Sequence, residues 1–302
     1  MDRNCVNWQG NFNAVVTPFK KNGELDESAF VQNIQLLMDE GIDGVVVSGC
    51  TGEFWALTDE ERLKLFELAV KTASGKIKVI AGTADILTSK VISLSLKAKK
   101  LGVDGFMITP PYYARPSFRE VFEHFRKISD AVQHPILLYN IPSRQAVNLS
   151  PAQICELGEK IDCIVAVKQS SNDFHDVTEV IRLAGKSIRV FAGHSVTRGF
   201  PCIAMGCDGF VSSVEPQIMG AEVIKLYKLS SENMVNEARA LQYRCIVLDN
   251  AIHGDAGTFP ASLKAAMNLM GRPGGYPREP LLEVTDAQKE YLKRVLKEIG
   301  LI

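Results

Sequence analysis

The chain lacks most of what would tie it to a metal, a nucleotide, a membrane or a nucleic acid. Its 302 residues hold five histidines and seven cysteines. The cysteines (Cys5, Cys50, Cys155, Cys163, Cys202, Cys207 and Cys245) are odd in number and scattered, and no Cys-x-x-Cys occurs. They read as reduced thiols of a cytosolic protein, not as a disulfide framework or a zinc site. There is no His-Glu-x-x-His, Walker loop or Gly-x-Gly-x-x-Gly, so metal- and nucleotide-dependent chemistry find no motif. No apolar run reaches the roughly 18 residues of a membrane span. The opening MDRNCVNWQGNF has no apolar h-region, so no secretory leader is expected. An excess of one charge is missing as well. Thirty-four Lys and Arg face 35 Asp and Glu, for a net charge of -1. A nucleic-acid binder would carry a basic stripe. Disorder is excluded because 46% of residues are apolar and only 23% charged.

What the chain does have is repetition. GIDGVVVSG starts at Gly41, GVDGFMITP at Gly102 and GCDGFVSSV at Gly206. Each follows a helix-like segment, so the first glycine suits a helix C-cap at positive φ. The Asp-Gly then turns the chain into a strand. FNAVVTPF, KIKVIAGT, PILLYN, CIVAVKQS and KSIRVFAGH bring the short apolar runs to eight. They are near-continuous, as strands buried on both faces of a parallel sheet must be. Amphipathic stretches lie between them, including Thr58–Ala73, where Thr58 and Glu61 form a capping-box pattern. Eight strands alternating with helices predict an α/β fold, a (β/α)8 TIM barrel. A doubly wound open sheet is the competitor, and no switch point speaks for it. Residues 1–228 are expected to form the barrel and 229–302 a C-terminal helical extension. After the eighth apolar run the segment from Ala221 to Ile252 reads as helical throughout.

In such a barrel the reactive residues follow the strands. Lys168 comes directly after Ile164–Val167, so its stem emerges from a buried strand. Desolvation favours its neutral amine, which can attack a carbonyl and form a Schiff base. The alternative is a lysine that snorkels to solvent or pairs with Glu53. Tyr139 ends the preceding strand and could relay protons beside Lys168, or merely pack with its hydroxyl at the rim. The GCTGE turn, Gly49 to Glu53, offers N–H groups and the Thr51 hydroxyl to a carboxylate, or uses glycine only for its backbone. Arg144 could grip a second acidic group or be a solvated loop arginine. His194 reads as a bland hydrogen-bonder or a general base. Cys50 has no adjacent base and reads as a small polar filler.

The motifs AVVTPF, GCTGE, TPPYYARP, LLYNIPSR, VAVKQS and FAGH, each at a strand end, resemble the dihydrodipicolinate synthase / N-acetylneuraminate lyase family of class I Schiff-base aldolases. The resemblance covers nearly the whole chain. It implies that Lys168 forms an imine with pyruvate, with no other cofactor and no metal. It implies that Tyr139 relays protons, and that Tyr113 completes the relay, in many members from a neighbouring subunit of a homotetramer. Gly49, Thr51, Gly193 and Val211 would surround pyruvate, and Arg144 would bind the carboxylate of an aldehyde substrate. YNIPSR and TPPYYARP look like the dihydrodipicolinate synthase branch, which joins pyruvate to aspartate semialdehyde in lysine biosynthesis. Ser195 and Val196 stand where the sialic-acid branch carries acids. Three departures stand out. Cys50 replaces the relay threonine, and a thiol is a weaker hydrogen-bond partner. Gln145-Ala146 replaces Thr-Gly. Ser170 is similar to a hydroxyl of the sugar-acid aldolases. An aldolase or dehydratase of a 2-keto-3-deoxy sugar acid or of 4-hydroxy-2-oxoglutarate is therefore the second expectation. A non-catalytic barrel that binds a keto acid is a third. Asp59, Arg62, Ile86 and Lys90 stand where lysine-sensitive members carry histidines, an asparagine and an acid. A lysine ammonium would meet Arg62 and Lys90 there and not an anionic pocket, so no lysine inhibition is expected.

Overall fold

A computed structural model describes residues 1–193 and 195–302, and of residues 195–198 the helical backbone alone. His194 and the side chains of Ser195 and Val196 therefore lie outside the described residues.

The Gly-x-Asp-Gly repeats govern how helix turns into strand. Gly41, Gly102 and Gly206 take φ of 94°, 90° and 102°, a region that any Cβ makes costly. The aspartates do more than turn the chain. Asp43 accepts a hydrogen bond from the N–H of Asn11 (2.7 Å), Asp104 from Val79 (2.9 Å) and Asp208 from Val190 (2.9 Å). Each carboxylate thus latches an incoming strand to the one before it. These latches lie at the N-terminal rim, the stabilising end of such a barrel.

The eight strands are β1 (Gly10–Ala14), β2 (Gly44–Val47), β3 (Lys78–Gly82), β4 (Gly105–Ile108), β5 (Ile136–Asn140), β6 (Ile164–Gln169), β7 (Arg189–Gly193) and β8 (Gly209–Ser212). All neighbours are parallel, and β8 returns to β1 to close the barrel in sequence order. The helices between them are α1 (Glu27–Asp39), α2 (Asp59–Ala73), α3 (Thr88–Lys100), α4 (Phe118–Val132), α5 (Pro151–Lys160), α6 (Phe174–Ala184) and α7 (Ser195–Ala204). Helix α2 illustrates the local logic. Thr58 accepts from the Glu61 N–H at 3.2 Å and Glu61 accepts from the Thr58 N–H at 2.9 Å. Such a cap contributes about 1 kcal/mol. Leu65, Phe66, Ala69 and Ala73 recur at helical spacing and are buried against the sheet.

Two apolar layers result. Trp8, Phe12, Val46, Ile80, Met107, Leu137, Phe191 and Val211 fill the barrel interior, with Phe12 and Phe191 ring to ring at 5.2 Å. A larger layer lies between strands and helices.

After β8 come α8 (Glu215–Met219), α9 (Ala221–Ser231), α10 (Val235–His253), α11 (Ala261–Leu269) and α12 (Asp286–Glu298). The helix expected to run unbroken from Ala221 to Ile252 is two helices, divided where Asn233 takes φ of 58°. Residue 228, the expected barrel boundary, falls inside α9, which packs on α7 and β1. Among the described residues no helix is long and apolar enough to cross a membrane.

Candidate active site

Lys168 stands near the C-terminal end of β6 and is only 6% exposed. A bulge puts it beside Tyr139. The β5–β6 register begins at Ile136 opposite Ile164, then jumps so that Leu137 faces Ala166 and Tyr139 faces Lys168. The extra residue on β6 is Val165, and it points into the barrel. Without it Tyr139 would pair with Val167, which faces the outer layer. The Lys168 ammonium site lies 4.3 Å from the centroid of the Tyr139 ring.

Burial lowers the Lys168 pKa from 10.5 to about 8, with Cys50 acting in the opposite direction. At pH 7 this leaves on the order of 10²-fold more neutral amine than an ordinary lysine would have. Only the neutral form is a nucleophile. The rate of imine formation, followed by borohydride trapping, is therefore expected to climb with pH and level off near pH 8. A climb that continues to pH 10 would mean an unperturbed lysine.

Cys50, Tyr139, Ser170 and Arg144 converge on the same point. Burial pushes the Tyr139 phenol far up, the nearby Cys50 adds to this, and Ser170 and Arg144 pull partly back. The phenol is therefore neutral, able to accept and donate a proton in turn. Burial also raises the Cys50 thiol, although Arg144 and Lys168 oppose it. A neutral thiol fits a small hydrogen-bonding filler better than a nucleophile. Gln145, unforeseen in this role, closes the Arg144 loop. Its amide donates to the Tyr139 carbonyl at 2.9 Å and its oxygen accepts from the Ile141 N–H at 3.3 Å.

The Gly49–Glu53 turn is internally bonded. The N–H groups of Gly52 and Glu53 donate to the carbonyls of Gly49 and Cys50, both at 3.1 Å. Thr17 donates its hydroxyl to the Gly52 carbonyl at 2.8 Å. Among the described residues, no hydrogen-bond partner meets the N–H or the hydroxyl of Thr51. Both are available to an anionic oxygen.

These residues open on a cavity of about 730 Å3, lined by Cys50, Thr51, Tyr139, Arg144, Lys168, Ser170 and Val211 among others. Gly49, Gly193 and Tyr113 are not in the lining. Gly49 builds the turn, and Gly193 backs Ser170, whose hydroxyl a Cβ there would strike. Tyr113 is 92% exposed on a left-handed backbone. Residues that strand-end reasoning missed also line the cavity: Trp55, Ile141, His253, Thr258, Phe259 and Leu281. The last four come from the C-terminal extension, and no local pattern marks them. The alternative pairing of Lys168 with Glu53 is corrected, since Glu53 is paired with Lys264. Among the described residues no three His, Cys, Asp or Glu side chains gather as a metal site.

The neighbouring cavity of about 400 Å3 holds Asp59, Arg62 and Lys90 as expected, but also Glu60 and Asp85. Arg62 turns inward, donating to Ser48 at 3.1 Å and to the Gly82 carbonyl at 2.7 Å. Ile86 lines a different cavity, and the three acids beside Arg62 and Lys90 correct the expectation that an ammonium would meet cations there.

The comparison with known proteins agrees with this geometry. Residues 7–299 match the model of the dihydrodipicolinate synthetase family. A 4-hydroxy-tetrahydrodipicolinate synthase of Oceanobacillus iheyensis is 38% identical over 286 residues, 94% of this chain and 95% of that one. Its counterpart from Methanocaldococcus jannaschii is 36% identical over 98% of this chain and 100% of its own. The crystal structure of dihydrodipicolinate synthase from Aquifex aeolicus superposes with a TM-score of 0.91 at 35% identity, covering 97% of this chain and 99% of that one. A Clostridium difficile protein solved in complex with mannosamine gives 0.90 at 26% identity, over 97% and 100%. The chain belongs to the dihydrodipicolinate synthetase family and is a lyase of the class I aldolase type.

Proposed function

We propose that this enzyme condenses pyruvate with aspartate semialdehyde through an imine on Lys168, as a 4-hydroxy-tetrahydrodipicolinate synthase. The single observation that carries the reading is the buried Lys168 amine, its pKa lowered to about 8, in register with Tyr139 at the head of a cavity. The neutral amine adds to the C2 carbonyl of pyruvate, and water leaves as the imine forms. Tyr139 passes the protons of addition and dehydration, with Cys50 beside it. The Thr51 hydroxyl and N–H hold the carboxylate of pyruvate, and the Val211 backbone lies along it. The protonated imine draws electrons from the methyl carbon, which loses a proton and becomes an enamine. That carbon then bonds to the aldehyde carbon, whose oxygen takes up a proton. The acceptor's own amine next displaces Lys168 and closes the ring.

Arg144 lines the mouth of the cavity and suits the acceptor's carboxylate. Arg144→Ala is expected to raise the KM for the aldehyde by about 10- to 100-fold, the scale of a lost charge-assisted hydrogen bond. The KM for pyruvate should not move. A variant with both values native would remove Arg144 from the site.

A second reading is cleavage of a hydroxylated 2-oxo acid to pyruvate, by the same imine run in reverse. One observation favours it: the Ser170 hydroxyl lies beside Tyr139 in the cavity, within reach of a substrate hydroxyl. A panel separates the two. Condensation of pyruvate with aspartate semialdehyde supports the first, and pyruvate release from 2-keto-3-deoxy sugar acids or 4-hydroxy-2-oxoglutarate supports the second.

The reading extends to a cytoplasmic homotetramer, whose reducing surroundings suit seven free cysteines. In it Tyr113 would serve a neighbouring subunit's relay, and the 92% exposure of its ring supports a contact there.

A further inference from the structure

The turn that carries Cys50 and Thr51 is entered and left through two residues whose backbones disfavour any side chain. Ser48 has φ of 58° and Glu53 has φ of 53°. Left-handed backbone at a residue with a Cβ persists only where the surroundings dictate it. At each end a cation from another element holds the side chain. Arg62 of α2 donates to the Ser48 hydroxyl at 3.1 Å. Glu53 is wholly buried and forms an ion pair with Lys264 of α11, itself 1% exposed.

The second clamp ties the extension to the barrel. Glu53 also accepts from the Arg278 N–H at 3.1 Å. Lys264 donates to the Tyr276 carbonyl at 2.8 Å and lies over the Phe19 ring at 4.5 Å. The Arg278 guanidinium grips both oxygens of Glu61 at 2.8 Å and donates to the Ala56 carbonyl at 2.7 Å. The connector so fixed runs on to Pro280 and Leu281, which line the cavity.

We propose that Glu53 and Lys264 are a positioning pair for the Schiff-base reaction: they hold the Cys50–Thr51 turn, and with it the carboxylate of pyruvate, in register with Lys168. The proposal rests on the reading of that turn as the carboxylate site. A buried ion pair suits the task because its partners have one favourable geometry and leave a costly lone charge when separated.

The test compares two carbonyl probes on the full-length chain. Pyruvate has the carboxylate and acetone does not, and borohydride trapping on Lys168 reads both. In Glu53→Gln, Lys264→Met and the double variant, half-saturation by pyruvate is expected to rise about 10- to 100-fold while trapping of acetone stays within about twofold of native. The double variant leaves no buried charge alone, so it remains folded even if a single variant does not. A folded double variant with native pyruvate half-saturation would overturn the proposal, and so would equal losses for both probes. A native chain that traps no pyruvate would overturn the Schiff-base reading itself, and the pair's assigned task with it.

Discussion

Lys168→Ala is expected to lower turnover by on the order of 10⁶-fold, the scale reached when an enzyme loses its covalent nucleophile. No other described group can replace the lysine. Lys264 is also buried, with its pKa lowered to about 8, but it is paired with Glu53 and lines a different cavity. Cys50 is held as a neutral thiol. The fold should survive, because removing one buried amine leaves the inner layer from Phe12 to Val211 in place. Steady-state kinetics and the thermal midpoint together check this. A variant within 100-fold of the native rate and equally stable would move the chemistry elsewhere.

Tyr139→Phe is expected to lower kcat by about 10²- to 10⁴-fold, the range of general acid–base catalysis. Its ring packing would remain, since only the hydroxyl is lost. Lys168 would still lie over the ring at 4.3 Å in the native arrangement. Adduct formation should slow rather than vanish, because solvent can supply protons less efficiently. Comparing kcat with the trapping rate separates this from a lost nucleophile. A kcat within threefold of native would mean that Cys50, Ser170 or water carries the protons.

The strand ends were legible because their determinants are local. Apolar runs followed by Lys168, Tyr139-Asn140 and the GCTGE turn mark both the strands and the rim on which the large cavity opens. Gly41, Gly102 and Gly206 announce their own turns through the φ they need. The bulge at Val165 was not legible, since the residue is as apolar as its neighbours and only the register reveals it. Nor was the partner of Glu53. A carboxylate two residues past Thr51 looks like an acid for the nearest lysine, and distance along the chain hides Lys264. The walls supplied by His253, Thr258, Phe259 and Leu281 were hidden for the same reason. They belong to helices and connectors whose amphipathic pattern reports burial, not which cavity they border. The break at Asn233 lies in a stretch without glycine or proline, where the polar run Ser230–Asn233 is its one local sign, Asn tolerating the left-handed backbone.

The most direct test of the account is borohydride reduction in the presence of pyruvate, read by intact mass and peptide mapping. The account predicts one stable pyruvate-derived adduct per chain, on the peptide containing Lys168, and none in Lys168→Ala. An adduct on another lysine, or none on the native chain, would contradict it.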